Sequence, residues 1–179
     1  VRLFTPMMLE AAALDPSYRG HITNTASMAG LLTAPNMGIY NAAKAAVVSL
    51  TETLYHDLNL VTDQIGASLL CPYFVPTGIT SSERNRQDAP QAAQLTKSQI
   101  IGQAMSNKAV SSGKITAGEI AHRVFDAISA NQFYVFSHPK ALGNVQSRME
   151  NIVSVTNPAD PFLARPEIGE ALRAQLRAA

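Results

Sequence analysis

The sequence predicts an α/β fold, a parallel sheet covered by helices. Helix-like and strand-like stretches alternate as helix, strand, helix, strand, helix, strand. The strand candidates, "HITNTAS", "IGASLLCP" and "QFYVFSH", are short, and turn residues or proline bound them. Three strands make a small sheet; with further strands it would be a doubly wound domain.

The first helix spans 1–14, where Leu3, Phe4, Met7, Met8, Ala11 and Leu14 read as one apolar face, and "LDPSYRG" ends it. No Ser, Thr, Asp or Asn caps its start. "HITNTAS" follows as the first strand, and "LLTAPNMG" is a loop punctuated by Pro35 and Gly38. The long helix at 39–59 shows two stripes: Ala43, Val47, Leu50 and Leu54, read as buried, and Tyr40, Lys44 and Val48 beside it. "IGASLLCP" is the second strand, stopped by Pro72. Residues 78–113 read as polar and irregular, with a helix inside "QAAQLTKSQIIGQAM". "TAGE" at 116–119 is a capping box opening a helix marked by Ile120, Val124 and Ile128. "QFYVFSH" is the third strand. Helices near 140–154 and 167–178 flank the turn "TNPADP".

Composition narrows the function classes. Of 179 residues, 46 % are hydrophobic and 15 % charged, enough for a core and too apolar for disorder. Net charge is +1 without a basic block, which gives nucleic-acid binding no support. The single cysteine, Cys71, excludes an internal disulfide and suits a reducing compartment such as the cytoplasm. No apolar run reaches membrane-spanning length, and "VRLFTPMML" lacks a signal peptide's layout.

The chemistry concentrates in "NTASMAGLLTAPNMGIYNAAK", residues 24–44. Tyr40 and Lys44, at i and i+4, share a helix face with roughly 6 Å of rise between them. A lysine ammonium near a phenol stabilises the phenolate, and such a tyrosine can exchange a proton with an alcohol or carbonyl. A serine hydroxyl from a strand end can hold the same substrate oxygen. By chance alone, Tyr-x-x-x-Lys is expected about 0.14 times in this composition, and about 0.01 times with a serine thirteen residues earlier.

These residues resemble the short-chain dehydrogenases/reductases. The resemblance rests on "NTAS" closing a strand, "SMAG", Pro35 five residues before Tyr40, "YNAAK", and "CPYFVPTGI" after the next strand; it extends through "ITAGEIA…ISANQFYVFSHP". It implies a Rossmann-like doubly wound parallel sheet, here its C-terminal half of about three strands, acting on a small secondary alcohol or ketone with NAD or NADP. It implies Ser27, Tyr40 and Lys44 as catalytic residues, and Tyr40, Lys44, Pro72, Val75 and Thr77 as cofactor contacts. Ser27, Met28, Tyr73 and Phe74 would meet the substrate, although core packing suits Met28 and Met37 equally. It also implies a homodimer or homotetramer in the full-length protein, with the first helix and the 39–59 helix paired through Phe4, Met7, Met8, Leu14, Leu50, Leu54 and Leu58. No nucleic acid, membrane or metal partner is expected.

The expected organisation is one partial domain, 1–179. Residues 1–77 form the catalytic half-core and 78–113 a substrate lid with Glu83, Arg84, Arg86 and Asp88. Residues 114–139 give the last helix and strand, and 140–179 a C-terminal extension. Two departures from the family stand out. Tyr73 occupies a usual glycine position, which suggests a tighter backbone and narrower pocket. No Thr-Gly-x-x-x-Gly-x-Gly turn is present, and the family's catalytic Asn would lie just upstream of Val1. With the uncapped first helix, these make a fragment, inactive alone, the expectation. A noncatalytic partner subunit and a nucleotide-sugar epimerase or dehydratase are the alternatives.

Other residues read blandly. His21, His56, His122 and His138 share no ligand spacing. Asp57 reads as a solvated helix charge and Cys71 as a small buried hydrophobe. "GKIT" at 113–116 lacks the glycine and Ser/Thr of a phosphate loop.

Overall fold

The computed structural model describes residues 1–85 and 95–177. Helix α1 (Phe4–Leu14) leads to strand β1 (Gly20–Thr25), and α2 (Gly38–Val61) leads to β2 (Ile65–Cys71). A kinked 3-10 segment, Gly78–Asn85, precedes α3 (Lys97–Ser111) and α4 (Ala117–Ser129). Strand β3 (Tyr134–Phe136) follows, then α5 (Leu142–Val153) and α6 (Pro166–Arg177). The strands lie in the order β1-β2-β3 and all run parallel, a Rossmann-like sheet as the alternation predicts.

Strand β2 is central and buried on both faces. Ile65 and Ala67 pack with Ala12 of α1 and Leu54 and Leu58 of α2. Leu69 and Cys71 continue that face against Val48, Met28 and residues around α5. On the opposite face, Leu70 packs with Val135 of β3 and Ile120 and Ala127 of α4. The strand's period of two thus feeds two cores at once. Helix α4 opens with its expected capping box: Thr116 accepts from Glu119 N, and the Glu119 carboxylate accepts from Thr116 N at 2.7 Å.

Three sequence readings need correction. In α1, Met8, Leu9 and Ala12 face the core, whereas Leu3, Phe4, Met7 and Leu14 are exposed. In α2, Ala43 and Leu50 point outward, and the buried side carries Val48, Thr51, Leu54 and Leu58. Leu54 and Leu58 therefore belong to the core and are unavailable to a subunit interface. Thr51 displaces the more apolar Leu50 because its hydroxyl is satisfied locally: it donates to Val47 O at 2.7 Å and accepts from Asn24 Nδ2 at 3.1 Å. Third, the segment read as irregular holds the 15-residue α3, which starts later and runs further than the helix expected there. Its start is set by a second capping box, Thr96 with Gln99. Arg86 and Asp88, and the side chains of Glu83 and Arg84, lie outside the described residues.

On the α4 side of the sheet, His21 Nε2 lies 2.7 Å from Ser68 Oγ, and the Ser68 hydroxyl donates to Gln132 O at 2.7 Å. A hydroxyl has one proton to give, so His21 is the donor in its contact. Gly66 leaves room for the ring: a Cβ there would meet His21 Nδ1 at 2.6 Å. Burial holds the His21 imidazole pKa below its ordinary value. The unfolded chain takes up a proton near pH 6.5, as free histidine does, where the folded protein resists it. Stability from this site is full above about pH 6.5 and declines as pH falls through that value. Urea unfolding at pH 5.5, 6.5 and 7.5 is expected to show this loss, and His21→Gln to flatten it; an unchanged slope in the variant contradicts the assignment.

Candidate active site

The pairing of β1 with β2 runs past the strand ends. Ala26 N donates to Leu70 O and Met28 N to Pro72 O, both at 2.8 Å. These bonds hold Ser27 beside the segment that starts at Pro72. The Ser27 hydroxyl accepts from Ala29 N at 3.1 Å, capping the 3-10 turn Met28–Gly30, and lies 3.4 Å from Pro72 O.

Tyr40 sits in the first turn of α2 and Lys44 one turn on, both partly buried. The Lys44 ammonium lies 5.8 Å from the centre of the Tyr40 ring and donates to Thr25 O, the last residue of β1, at 3.2 Å. The helix start is tied to its loop by Asn41 Nδ2, which donates to Ala34 O at 2.9 Å. Backbone contact sets how closely α2 approaches the site: Gly30 lies flat against the Lys44 carbonyl and Val48. Ser27 and the Lys44 ammonium thus lie at the carboxyl end of β1, with the Tyr40 ring 5.8 Å from that ammonium, while no hydrogen bond joins Ser27 to Tyr40 among the described residues.

The Pro72–Thr77 segment forms the other wall. Val75 is anchored in the core with Leu70 and Ile120. Thr77 Oγ1 accepts from Ile79 N at 3.4 Å. A cavity of about 390 Å³ separates this segment from α3, lined by Pro76, Thr77, Thr80, Asn107, Val110 and Ser111. The sequence reading missed Asn107 and Ser111, whose i, i+4 spacing on a helix was the available signal. Tyr73 keeps a negative φ, so the side chain at the family's glycine position brings no left-handed strain. Its ring packs on Phe74 at 4.1 Å between centres, and burial pushes its phenol above the ordinary pKa.

Met28 has 0 % exposure and packs among Ala26, Val48, Leu69 and Cys71, so of its two weighed roles the structure supports core packing. Cys71 is equally buried; burial pushes its thiol up to about 11, which keeps it a thiol. Among the described residues no cluster of His, Cys, Asp or Glu is arranged to hold a metal, and no helix is long and apolar enough to cross a membrane.

Comparison with known proteins converges on one family. The sequence profile for short chain dehydrogenase matches residues 1–88. The chain is 32 % identical over 137 residues to the CLA biosynthesis dehydrogenase/reductase of Lactiplantibacillus plantarum, covering 74 % of this chain and 48 % of that protein. It is 35 % identical over 106 residues to human retinol dehydrogenase 10, covering 58 % and 29 %. A crystal structure of a short chain dehydrogenase/reductase from Burkholderia phymatum in complex with NAD superposes with a TM-score of 0.84 at 50 % identity, over 90 % of this chain and 56 % of that one. The chain therefore spans about half or less of the curated relatives' length.

The approach of α2 to the site is open to test. A methyl group at Gly30 would lie 2.7 Å from the Lys44 carbonyl oxygen and 2.9 Å from Val48 Cγ2. Gly30→Ala is expected to destabilise the fold by about 1–3 kcal/mol in urea unfolding, the usual cost of overpacking. Gly38→Ala, where nothing lies within 4 Å, is the matched control and is expected to be neutral or slightly stabilising. Equal effects at the two positions would contradict the close-approach account.

Proposed function

Because this chain belongs to the short-chain dehydrogenase/reductase family of oxidoreductases, we propose that it carries the catalytic residues of an NAD(P)-dependent enzyme interconverting a secondary alcohol and a ketone. The observation that carries the reading is the Tyr40–Lys44 pair hung from Thr25 O. The donor set suits the nicotinamide half of a dinucleotide. The Lys44 ammonium has three N–H groups, and the Thr25 carbonyl takes one. The others, with the Tyr40 hydroxyl on the same face, match the vicinal hydroxyls of a ribose. The NAD in the Burkholderia relative supports the same group here. Pro72, Val75 and Thr77 would line its nicotinamide side, next to the cavity under α3.

When bound, a nicotinamide would supply a carbon able to accept hydride from the alcohol or return it to the ketone. This chain's residues handle the rest. In the oxidation direction Tyr40 Oη takes the alcohol's hydroxyl proton as the carbonyl forms, and in reduction it gives that proton back. Lys44 places a cation on the face where negative charge forms at that oxygen. The Ser27 hydroxyl holds the substrate oxygen between the two strand ends. Tyr73 and Phe74 line the apolar side. Residues 78–113, whose described part includes α3, would close over the substrate as a lid. The single unpaired cysteine supports a cytoplasmic location.

In the protein as its gene encodes it, Tyr40→Phe is expected to lower kcat by at least about 100-fold, the scale of general acid–base catalysis, with dinucleotide affinity nearly intact. Lys44→Ala is expected to harm both. Retention of more than about a tenth of kcat in Tyr40→Phe rules out the proton-transfer role, and absence of turnover in the wild type favours a noncatalytic member. Light scattering is expected to show a dimer or tetramer, since Phe4, Met7 and Leu14 of α1 and Leu50 of α2 are exposed. A monomer at micromolar concentration would remove that assembly.

A further inference from the structure

The carboxyl end of β3 holds two residues that the proposed reaction does not use, Ser137 and His138. Ser137 has 0 % exposure. Its hydroxyl accepts the Tyr73 N–H at 2.8 Å and lies 2.8 Å from His138 Nδ1. Its carbonyl is gripped from α4 by Arg123 Nη1 at 2.7 Å, and the same nitrogen reaches Phe136 O at 3.3 Å. Having accepted from Tyr73, the Ser137 hydroxyl still has its proton and a lone pair, so it pairs with His138 Nδ1 in either imidazole tautomer. The imidazole is thereby turned edge-on to the Tyr73 ring, 5.8 Å between centres at 76°, while Phe74 covers Tyr73 on another side at 4.1 Å. One buried hydroxyl thus sets both the backbone of Tyr73 and the ring beside it.

We propose that Ser137 is a positioning residue, and that the aromatic wall it pins, Tyr73, Phe74 and His138, selects substrates with a flat apolar group next to the carbonyl carbon. The proposal rests on the oxidoreductase reading above for the location of the substrate. Pro72 O receives Met28 N and lies 3.4 Å from the Ser27 hydroxyl, the group assigned to the substrate oxygen, and the wall begins at the next residue, Tyr73. Tyr73 is 38 % exposed, leaving its ring available to a ligand. Rings arranged edge-on and tilted favour another π face over an alkyl chain of equal area. A fixed wall discriminates between the two better than a mobile one.

The test uses the protein as its gene encodes it, with acetophenone as the flat probe and 2-butanone as the aliphatic one. In 15N-labelled protein, acetophenone is expected to shift the Tyr73 amide resonance more than 2-butanone does. Ser137→Ala is expected to speed Tyr73 amide exchange about tenfold and to raise the KM for acetophenone about tenfold, the scale of one lost hydrogen bond. Its kcat and its KM for the dinucleotide are expected to stay within about twofold, a split that general loosening would not give. His138→Asn keeps an acceptor for the Ser137 hydroxyl but lacks the ring, so it is expected to retain slow Tyr73 exchange and still lose the acetophenone preference. Unchanged Tyr73 exchange in Ser137→Ala overturns the pinning, and no shift of Tyr73 by acetophenone in the wild type overturns the wall. Wild-type protein that reduces neither ketone with either dinucleotide, yet shows the acetophenone shift, would leave the wall standing and refute the reaction instead.

Discussion

The parallel pairing of β1 with β2 continues beyond the last residues of both strands, and the site depends on that continuation. Two backbone bonds, Ala26 N to Leu70 O and Met28 N to Pro72 O, carry the ladder into the loops. Parallel strands end on the same side of the sheet, so the loops that follow them meet there. Ser27 and the Pro72–Thr77 segment are brought together by this register, set by the pairs from Gly20 with Ile65 to Thr25 with Leu70. A slip of one residue would turn the inward face of β1 outward and separate the two loops. Lys44 adds a side-chain tie to the same place through Thr25 O.

Buried hydroxyls do the joining between layers. Thr51, Ser68 and Ser137 are all at 0 % exposure, and each bridges two elements. Thr51 links α2 to Asn24 of β1. Ser68 links β2 to His21 of β1 and to the chain before β3. Ser137 links the end of β3 to Tyr73 after β2. A buried hydroxyl with both its donor and acceptor roles filled has one preferred geometry, unlike a methyl group of similar size. Apolar packing of β2 against helices on both faces builds the core clusters, and these hydroxyls fix how the layers align.

Much of this was legible along the chain. The alternation of elements, the three parallel strands, the Thr116–Glu119 capping box and the Tyr40–Lys44 face are local: each depends on residues within a turn or two of one another. The family resemblance carried in "NTAS", "YNAAK" and "CPYFVPTGI" is likewise a matter of spacing. The orientation of α2 was not legible. An apolarity pattern ranks Leu50 above Thr51, but it cannot see Asn24, 27 residues away, offering the hydrogen bond that lets Thr51 be buried. For the same reason Leu58 reads as surface to spare along the chain, whereas in the fold it is buried with Ile65 and Ala67.

The sequence by itself determined that Tyr40 and Lys44 share a helix face and that Ser27 closes a strand, because those placements follow from helix period and strand length. Tertiary structure alone decided what surrounds them. Met28 became core although it neighbours Ser27, since the β1–β2 ladder draws its backbone to Pro72 and leaves its side chain facing Leu69 and Cys71. Ser137 became a joint between strands because its hydroxyl meets the amide of Tyr73, 64 residues away in the chain. Such contacts arise only when sheet pairing brings distant segments within 3 Å, and no local pattern of apolar and polar residues encodes which pair will meet.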